Sequence, residues 1–493
     1  MGLGTLILYN IGKENVYLSA EPEITFFKMT YKRYTNYSIE QTPQYFKTTP
    51  DFGRRCTVNI GKNADLMSSI YIYINLPSII NDYNNKLYQK IAWVNKVGIA
   101  IINFVEIEIG GTIIDRHYGD WLNIWNELTI KHSHLKSYNM MIGNIDKLTN
   151  FSINKNNHIL YIPLSFWFCN DSGLALPLIS LLHNDIKLHV QFNDINYCYK
   201  ISPSHSINID NKFCILKYGE IIYQKYQNII ITGQFIYFDE LNQILYYNPI
   251  NNKFIIPELD NDDNLSIYGI DTNFKINIKP KTIIVKIENY FQYIIPSIVD
   301  SYLIIDYIYL DNYERKKFVQ NKHEYLIQTV QTIPTLTLYS INSIYKLPLY
   351  NPIKLLIWRC ILISNININD QFNYLYYNIN TNKNEYLINK NIIVINSINR
   401  MDLNSIEYYD IIQKYQYNFY NKQKGIFLYS FSLNPLDLQP SGSLNFSKID
   451  DAYIQLNINN IVSYQNPINI QAYAIQYNIL KIANGIGGLI FDT

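Results

Sequence analysis

Cysteine is scarce in this chain. The five residues Cys56, Cys169, Cys198, Cys214 and Cys360 are odd in number and form no Cys-x-x-Cys pair. That pattern argues against a disulfide framework and a zinc ribbon, and predicts reduced, mostly buried thiols. Charge is scarce as well. Only 16% of residues are charged, and 41 Lys and Arg against 40 Asp and Glu leave a net +1. Such a balance excludes a broadly basic nucleic-acid coat and an acidic solvating tail. Long apolar runs are missing. Asn103 and Glu106 interrupt Val97–Ile109, Asp306 splits Tyr302–Leu310, and no stretch approaches the ~20 residues of a membrane span. Met1–Leu6 has no cationic region ahead of its apolar residues, and Leu6 stands where a myristoylation signal needs Ser or Thr. Neither a secretory leader nor a lipid anchor is expected.

Catalytic patterns are also wanting. Among eight histidines only His132 and His134 are close-spaced, without the carboxylates of a metal site. Asp115-Arg116-His117 offers acid and base groups, but reads better as a strand end where Arg116 pairs with a local carboxylate. Gly485-Ile-Gly-Gly488 has no helix after it to present amides to a phosphate. Pro440-Ser441-Gly442-Ser443 is a turn rather than a nucleophile elbow. Asp306 and Asp311 flank a strand and make no acid/base pair, and Arg315-Lys316-Lys317 reads as a solvated helix face. No residue is therefore nominated as catalytic, cofactor-binding or metal-binding. Sequons stand at Asn36, Asn150, Asn170, Asn264 and Asn445. Without a leader, ordinary N-glycosylation is not expected.

What the chain does have is tyrosine, 46 residues of it, within 15% aromatic and 48% apolar content. Tyr covers wide surface while keeping a polar tip, which suits packed sheets and protein interfaces. A chain of 493 residues exceeds one ordinary core and calls for two or three domains. The commonest local pattern is alternation with period two, as in Phe104–Ile109, Ile186–Phe192, Tyr453–Ile458 and Ile468–Tyr477. Such runs predict half-buried antiparallel strands, with Glu106, Glu108 and His189 on the outward faces. Gly110-Gly111 predicts a tight hairpin turn. Helices are expected at Asp120–Leu128, with Asp120 as N-cap, and at Asn312–Gln320. Asn-Ile mixtures at Asn365–Asn369 and Asn378–Asn384 read as loops of an AT-rich genome, and Pro257–Leu265 as an exposed acidic loop. Many short strands without a βαβ rhythm indicate at least two sandwiches or barrels.

Several blocks resemble the double jelly-roll major capsid proteins of nucleocytoplasmic large DNA viruses, mimivirus-type members above all. They are Asn15–Lys28, Tyr31–Asn36, Asp51–Arg54, Val105–Leu128, Tyr161–Leu164, Gly173–Ile179, Asp306–Asp311, Glu314-Arg315 and His323–Ile327. Tyr429–Leu433, Gln439–Gly442, Asn445–Asp450, Tyr477–Leu480 and Gly485–Leu489 complete the series. The resemblance implies an all-β fold of two consecutive eight-stranded antiparallel jelly rolls with few short helices. Its expected divisions are an arm at 1–23, a first jelly roll at 24–311, a linker helix at 312–323 and a second jelly roll at 324–493. The stretch 197–299, in which no family motif is found, is expected to be an insertion before the first barrel's last strand. The second barrel is expected to have little room for long loops.

The resemblance further implies a non-enzymatic shell protein forming homotrimeric, pseudo-hexagonal capsomers in an icosahedral virion assembled in the host cytoplasm. Implied partners are further copies of the chain, neighbouring capsomers, minor capsid and penton proteins and internal membrane proteins, with no direct nucleic acid and no cofactor. Two alternatives stay open. One is a minor capsid paralogue or assembly scaffold of the same fold. The other is a carbohydrate-binding host-attachment protein, which would need a concave aromatic patch or a calcium cluster.

Overall fold

The computed structural model describes residues 12–80, 89–226, 229–250, 252–257, 265–289, 295–378, 383–400, 405–464 and 466–491, together with Thr5, Phe291 and Thr381. Asn264, most of the acidic stretch 257–265 and part of 378–384 fall outside these residues, as do most of the first eleven positions.

Sixteen strands form the frame. The first eight are β1 (Tyr37–Tyr45), β2 (Arg55–Asn59), β3 (Leu66–Leu76), β4 (Ile102–Ile109), β5 (Thr112–Tyr118), β6 (His158–Pro163), β7 (Ile186–Phe192) and β8 (Asp300–Leu310). They pair antiparallel in two sheets, ordered β1-β8-β3-β6 and β2-β7-β4-β5. The second eight are β9 (His323–Leu338), β10 (Asn342–Lys346), β11 (Pro352–Leu362), β12 (Ile388–Ile395), β13 (Ile398–Asn399), β14 (Ile426–Ser430), β15 (Ala452–Ile458) and β16 (Ile468–Ala483). Their sheets run β9-β16-β11-β14 and β10-β15-β12-β13, the same order over again. Each set is a two-sheet jelly roll, so the fold is a tandem duplication of one topology.

Alternation makes the strands. In β7 the residues Ile186, Leu188, Val190 and Phe192 are buried, as expected. The hairpin between β4 and β5 turns on Gly110 and Gly111 at φ +59° and +89°, with Ile109 opposite Thr112. Successive positive φ angles are what a tight two-residue hairpin requires, and only Gly supplies them without strain. Sheet pairing in the first barrel starts at Tyr37, opposite Leu310. Residues 12–41 ahead of and within the start of that strand are exposed.

Helix α1 spans Gly119–Thr129 and helix α2 Asn312–Gln320. In α2, Asp311 caps the first turn by accepting from the Glu314 amide at 2.8 Å, and no residue of the helix is buried. Asp65, nearly buried, ties the end of β8 to α2 by accepting from the Leu310 amide and facing Arg315 at 3.0 Å. A third helical segment, α3, begins as a π-helical turn over Tyr408–Ile412 and continues as Gln413–Gln416.

Between β7 and β8 lies a separate seven-stranded sheet drawn from residues 205–286. It has its own core, with Ile207, Ile222, Phe235, Leu245, Tyr247 and Ile267 among its members.

Several expectations are corrected. Asp120 is not the N-cap of α1; Tyr118 is, and Asp120 sits in the first turn with other partners. Glu106 does not face solvent, being fully buried beneath Arg55 and Arg116, and His189 is covered as well. The Asn-Ile stretches are not featureless loops. Ile363–Asn367 is a helix, and Leu375–Asn378 pairs with Lys383–Tyr386. Asn365 donates to the Asn373 carbonyl at 3.1 Å, and Asn369 to the Asn196 and Tyr199 carbonyls at 2.6 and 2.7 Å. The second barrel does carry long connections, 363–387 and 400–425, and among their described residues Asn369 and Tyr420 are tied to the first barrel, Tyr420 through the Leu128 carbonyl.

Inter-barrel junction and outward faces

A junction between the two barrels lies inside the chain. Strand β11 shows it most clearly. Leu356, Trp358, Cys360 and Leu362 point into the second barrel's core, while Leu355, Ile357 and Ile361 join the core of the first. In β16, Ala472 and Ala474 go one way, and Tyr473 and Ile475 the other. A strand buried on both faces has no polar side to show, so its sequence is a nearly continuous apolar run.

Helix α1 lies against this face. At its start Gly119 seats the helix close on its own barrel, because a Cβ there would collide with the carbonyl oxygens of Ile102 and Ile99. Trp121 packs on Tyr473 with ring centres 5.3 Å apart and stacks on Trp125 at 5.4 Å. Beside it Asp120 gathers the second barrel's polar groups. Arg359 Nε donates to Asp120 Oδ2 at 2.7 Å and its Nη2 lies at the same distance. The Tyr374 hydroxyl donates to Oδ1 at 2.7 Å and the Tyr473 hydroxyl to Oδ2 at 3.1 Å. Burial, then the Asp120 charge, pushes both tyrosine hydroxyls well above the ordinary range. Burial alone would lower Arg359, but Asp120 holds it firmly protonated. The cluster is a fixed ionic clasp between two apolar surfaces.

Asp115 and His117 belong to the same junction. Both are buried, with His117 Nε2 2.9 Å from Asp115 Oδ2 and the imidazole stacked on Phe166 at 4.7 Å. Asp115 accepts from the Val330 amide of β9 at 3.0 Å. Arg116 pairs with a local carboxylate as expected, its cross-strand neighbour Glu106 at 2.6 Å. The Gly485–Gly488 segment is a hairpin tip clasped by the first barrel. His183 N donates to the Gly485 carbonyl at 2.9 Å and Asn184 to that of Gly487 at 3.1 Å. His132 and His134 are exposed, and among the described residues no cluster of potential metal ligands occurs. All five cysteines are free thiols.

Two clefts open at the junction. One of about 790 Å³ is lined by Lys96, Asp146, Asp370, Tyr374, Lys422 and Lys424 among others, and one of about 220 Å³ by Asp120, Arg359, Ile361 and Phe372 among others. Lys96 donates to Asn123 and Glu127 at 2.7 and 2.6 Å, so the charge of this one lysine is met within the first barrel.

Outward faces differ between the first barrel's sheets. On sheet β2-β7-β4-β5, Glu108 takes hydrogen bonds from Lys187 at 2.8 Å and His189 at 2.9 Å, which hold its carboxyl below the usual range. On sheet β1-β8-β3-β6 a row of tyrosines crosses all four strands. Tyr45 and Tyr302 lie 5.4 Å apart, Tyr302 and Tyr73 are stacked at 4.3 Å, and Tyr73 and Tyr161 are 5.5 Å apart. Sequence reasoning predicted a Tyr-rich interface without locating it. The signal was there in Tyr71, Tyr73 and Tyr302 at alternate strand positions.

Two jelly rolls of one strand order, packed side by side in one chain, define a capsid protein of the double jelly-roll class. The comparisons agree. A family model for the major capsid protein N-terminus matches residues 25–239, and one for the large eukaryotic DNA virus major capsid protein matches 314–488. "Probable capsid protein 4" of Acanthamoeba polyphaga mimivirus is 35% identical over the full length of both chains. The major capsid protein of Phaeocystis pouchetii virus is 28% identical over 100% of this chain and 99% of its own. Among solved structures, the Faustovirus major capsid protein superposes with a TM-score of 0.67 at 11% identity, covering 94% of this chain and 93% of that one. A chain of the PBCV-1 virus capsid gives 0.63 at 22% identity, with 95% and 100% covered; at such identities these two likenesses speak for the fold.

The chain belongs to the large eukaryotic DNA virus major capsid protein family. It is a structural, non-enzymatic component of the virion capsid. The first family model extends to residue 239, so the family signal reaches into the stretch 197–299, where none was expected from the sequence.

Proposed function

We propose that three copies of this chain form a pseudo-hexagonal capsomer, and that capsomers tile an icosahedral shell assembled in the host cytoplasm. The observation that carries the reading is the duplication: two barrels of identical strand order per chain place six like units in a trimer. In this reading residues 1–23 are an arm, 24–311 the first barrel with its insertion at 197–299, 312–323 the linker and 324–493 the second barrel. The arm runs beneath the capsomer. Its described part supports this, because Tyr17 and Leu18 are more than nine-tenths exposed, as are Phe26, Phe27 and Met29 in the stretch that follows it. Minor capsid, penton and internal membrane proteins meet the inner face and edges. Light scattering behind size exclusion tests the proposal. Three chains of 58.1 kDa give about 174 kDa, and a folded species at 58 kDa under all conditions would contradict it.

A further inference from the structure

The in-chain junction covers one half of each of two matching surfaces and leaves the other halves open. In the second barrel, the outer side of β11 and β16 is buried by the first barrel's α1, the helix that follows its fifth strand. The topologically equivalent strands of the first barrel are β3 and β8. Their inner side chains, such as Ile72, Ile74, Leu303 and Ile305, are buried just as deeply. Their outer ones, Tyr71, Tyr73, Tyr302 and Ile304, are only half-buried, with Cys169 beside Tyr71 at one edge.

The equivalent of α1 is likewise open. Helix α3 follows the second barrel's fifth strand, β13, as α1 follows β5. One side of α3 is seated in its own barrel through Tyr409, which packs on Trp358 at 5.2 Å, and through the buried Asp410–Lys414 pair. The other side presents Ile411, Ile412 and Tyr415, at 42%, 50% and 86% exposure, to solvent. Their spacing makes one apolar stripe along the helix, as Trp121 and Trp125 do on α1.

We infer that these two open surfaces are each other's partner in a second copy of this chain. The tyrosine row on β1-β8-β3-β6 of one copy receives the Ile411, Ile412 and Tyr415 stripe of α3 from the next. The inference rests on the capsomer reading and assigns its contact. The chain already contains one contact of a sheet face against a post-β5 helix, and the open sheet face and open helix are the same two parts in the other barrel. Such a contact is heterologous, with different patches meeting, and repeated from copy to copy it closes into a ring. Rings of Tyr and aliphatic side chains at its centre suit the aromatic-rich core of a stable interface.

The test compares I412E and Y302K with the unaltered chain by light scattering, each first shown to be folded by circular dichroism. L241E, at a fully exposed site on the insertion, is the control. Y415E and Y45K replace either variant that fails to fold. Both faces are expected to weaken self-association by roughly a hundredfold or more, as loss of a central anchor does, giving 58 kDa species where the unaltered chain and L241E give 174 kDa. If the unaltered chain is trimeric and I412E or Y302K stays so at the same concentration, the assigned pairing is wrong while the capsomer stands. If the unaltered chain itself never exceeds 58 kDa, the capsomer reading fails, and this inference with it.

Discussion

Removing the Asp120 carboxylate is the sharpest perturbation of the junction. In D120A, Arg359 keeps its charge at 9% side-chain exposure and loses both of its contacts to Oδ2, retaining Gln471 at 3.1 Å and the Tyr374 ring at 5.7 Å. The Tyr374 and Tyr473 hydroxyls lose their acceptor in the same step. Breaking a buried pair by deleting one partner costs about 3–5 kcal/mol, because the remaining charge stays desolvated. Each orphaned hydroxyl adds about 1–3 kcal/mol before relaxation. The small cleft beside Asp120 and Arg359 admits water, so a net loss of about 3–5 kcal/mol is expected. The pair itself is worth far less than its rupture. In D120A/R359M the buried cation is gone and an apolar side chain faces Trp121 and Tyr473, so the double variant should be more stable than D120A alone. Urea unfolding followed by tryptophan emission reads this directly, since Trp121 and Trp125 lie at the junction. A D120A loss below about 1 kcal/mol would refute the clasp, and so would a double variant less stable than D120A.

Two further predictions concern other parts of the frame. Lys354 is 1% exposed and hydrogen-bonded to Gln328 at 2.6 Å, and burial lowers its amine to about 7. The unfolded chain then holds more protons at this site than the native one between pH 7 and the ordinary lysine value near ~10.4, so stability rises with pH across that window, by at most about 1.4 kcal/mol per unit. K354M should flatten that slope in denaturation midpoints measured from pH 7 to 10; an unchanged slope would show that the amine is not held neutral. G119A forces a methyl into the Ile102 and Ile99 carbonyls. It should cost about 1–3 kcal/mol and loosen α1 from its seat on the first barrel, visible as faster amide exchange at Trp121–Leu128; unaltered exchange would mean the helix has room to shift.

How much of this could be read from the chain depended on which faces are buried. Where one face meets a core and the other water or a neighbour's charge, period two survives, and β4, β7 and β15 were legible. Strand β11 was not, because Ile353–Leu362 is covered on both sides and shows no alternation. Gly110-Gly111 announced its hairpin through turn chemistry that acts locally. Asp120 looked like a helix cap for the same local reason, yet its partners Arg359, Tyr374 and Tyr473 come from more than 230 residues away. Glu106 was placed outward correctly by face and wrongly by exposure, since two arginines from neighbouring strands close over it. The tyrosine row needed the register of four strands, which pairs Tyr45 with Tyr302, Tyr302 with Tyr73 and Tyr73 with Tyr161. No single segment holds that information.

The central claim is that like barrels repeat one packing within and between chains. Electron microscopy of the purified, unaltered protein tests it most directly. The account predicts particles of hexagonal outline with six barrel densities related by threefold symmetry. Isolated two-barrel particles at concentrations where the protein is folded, or open filaments in place of closed rings, would contradict it.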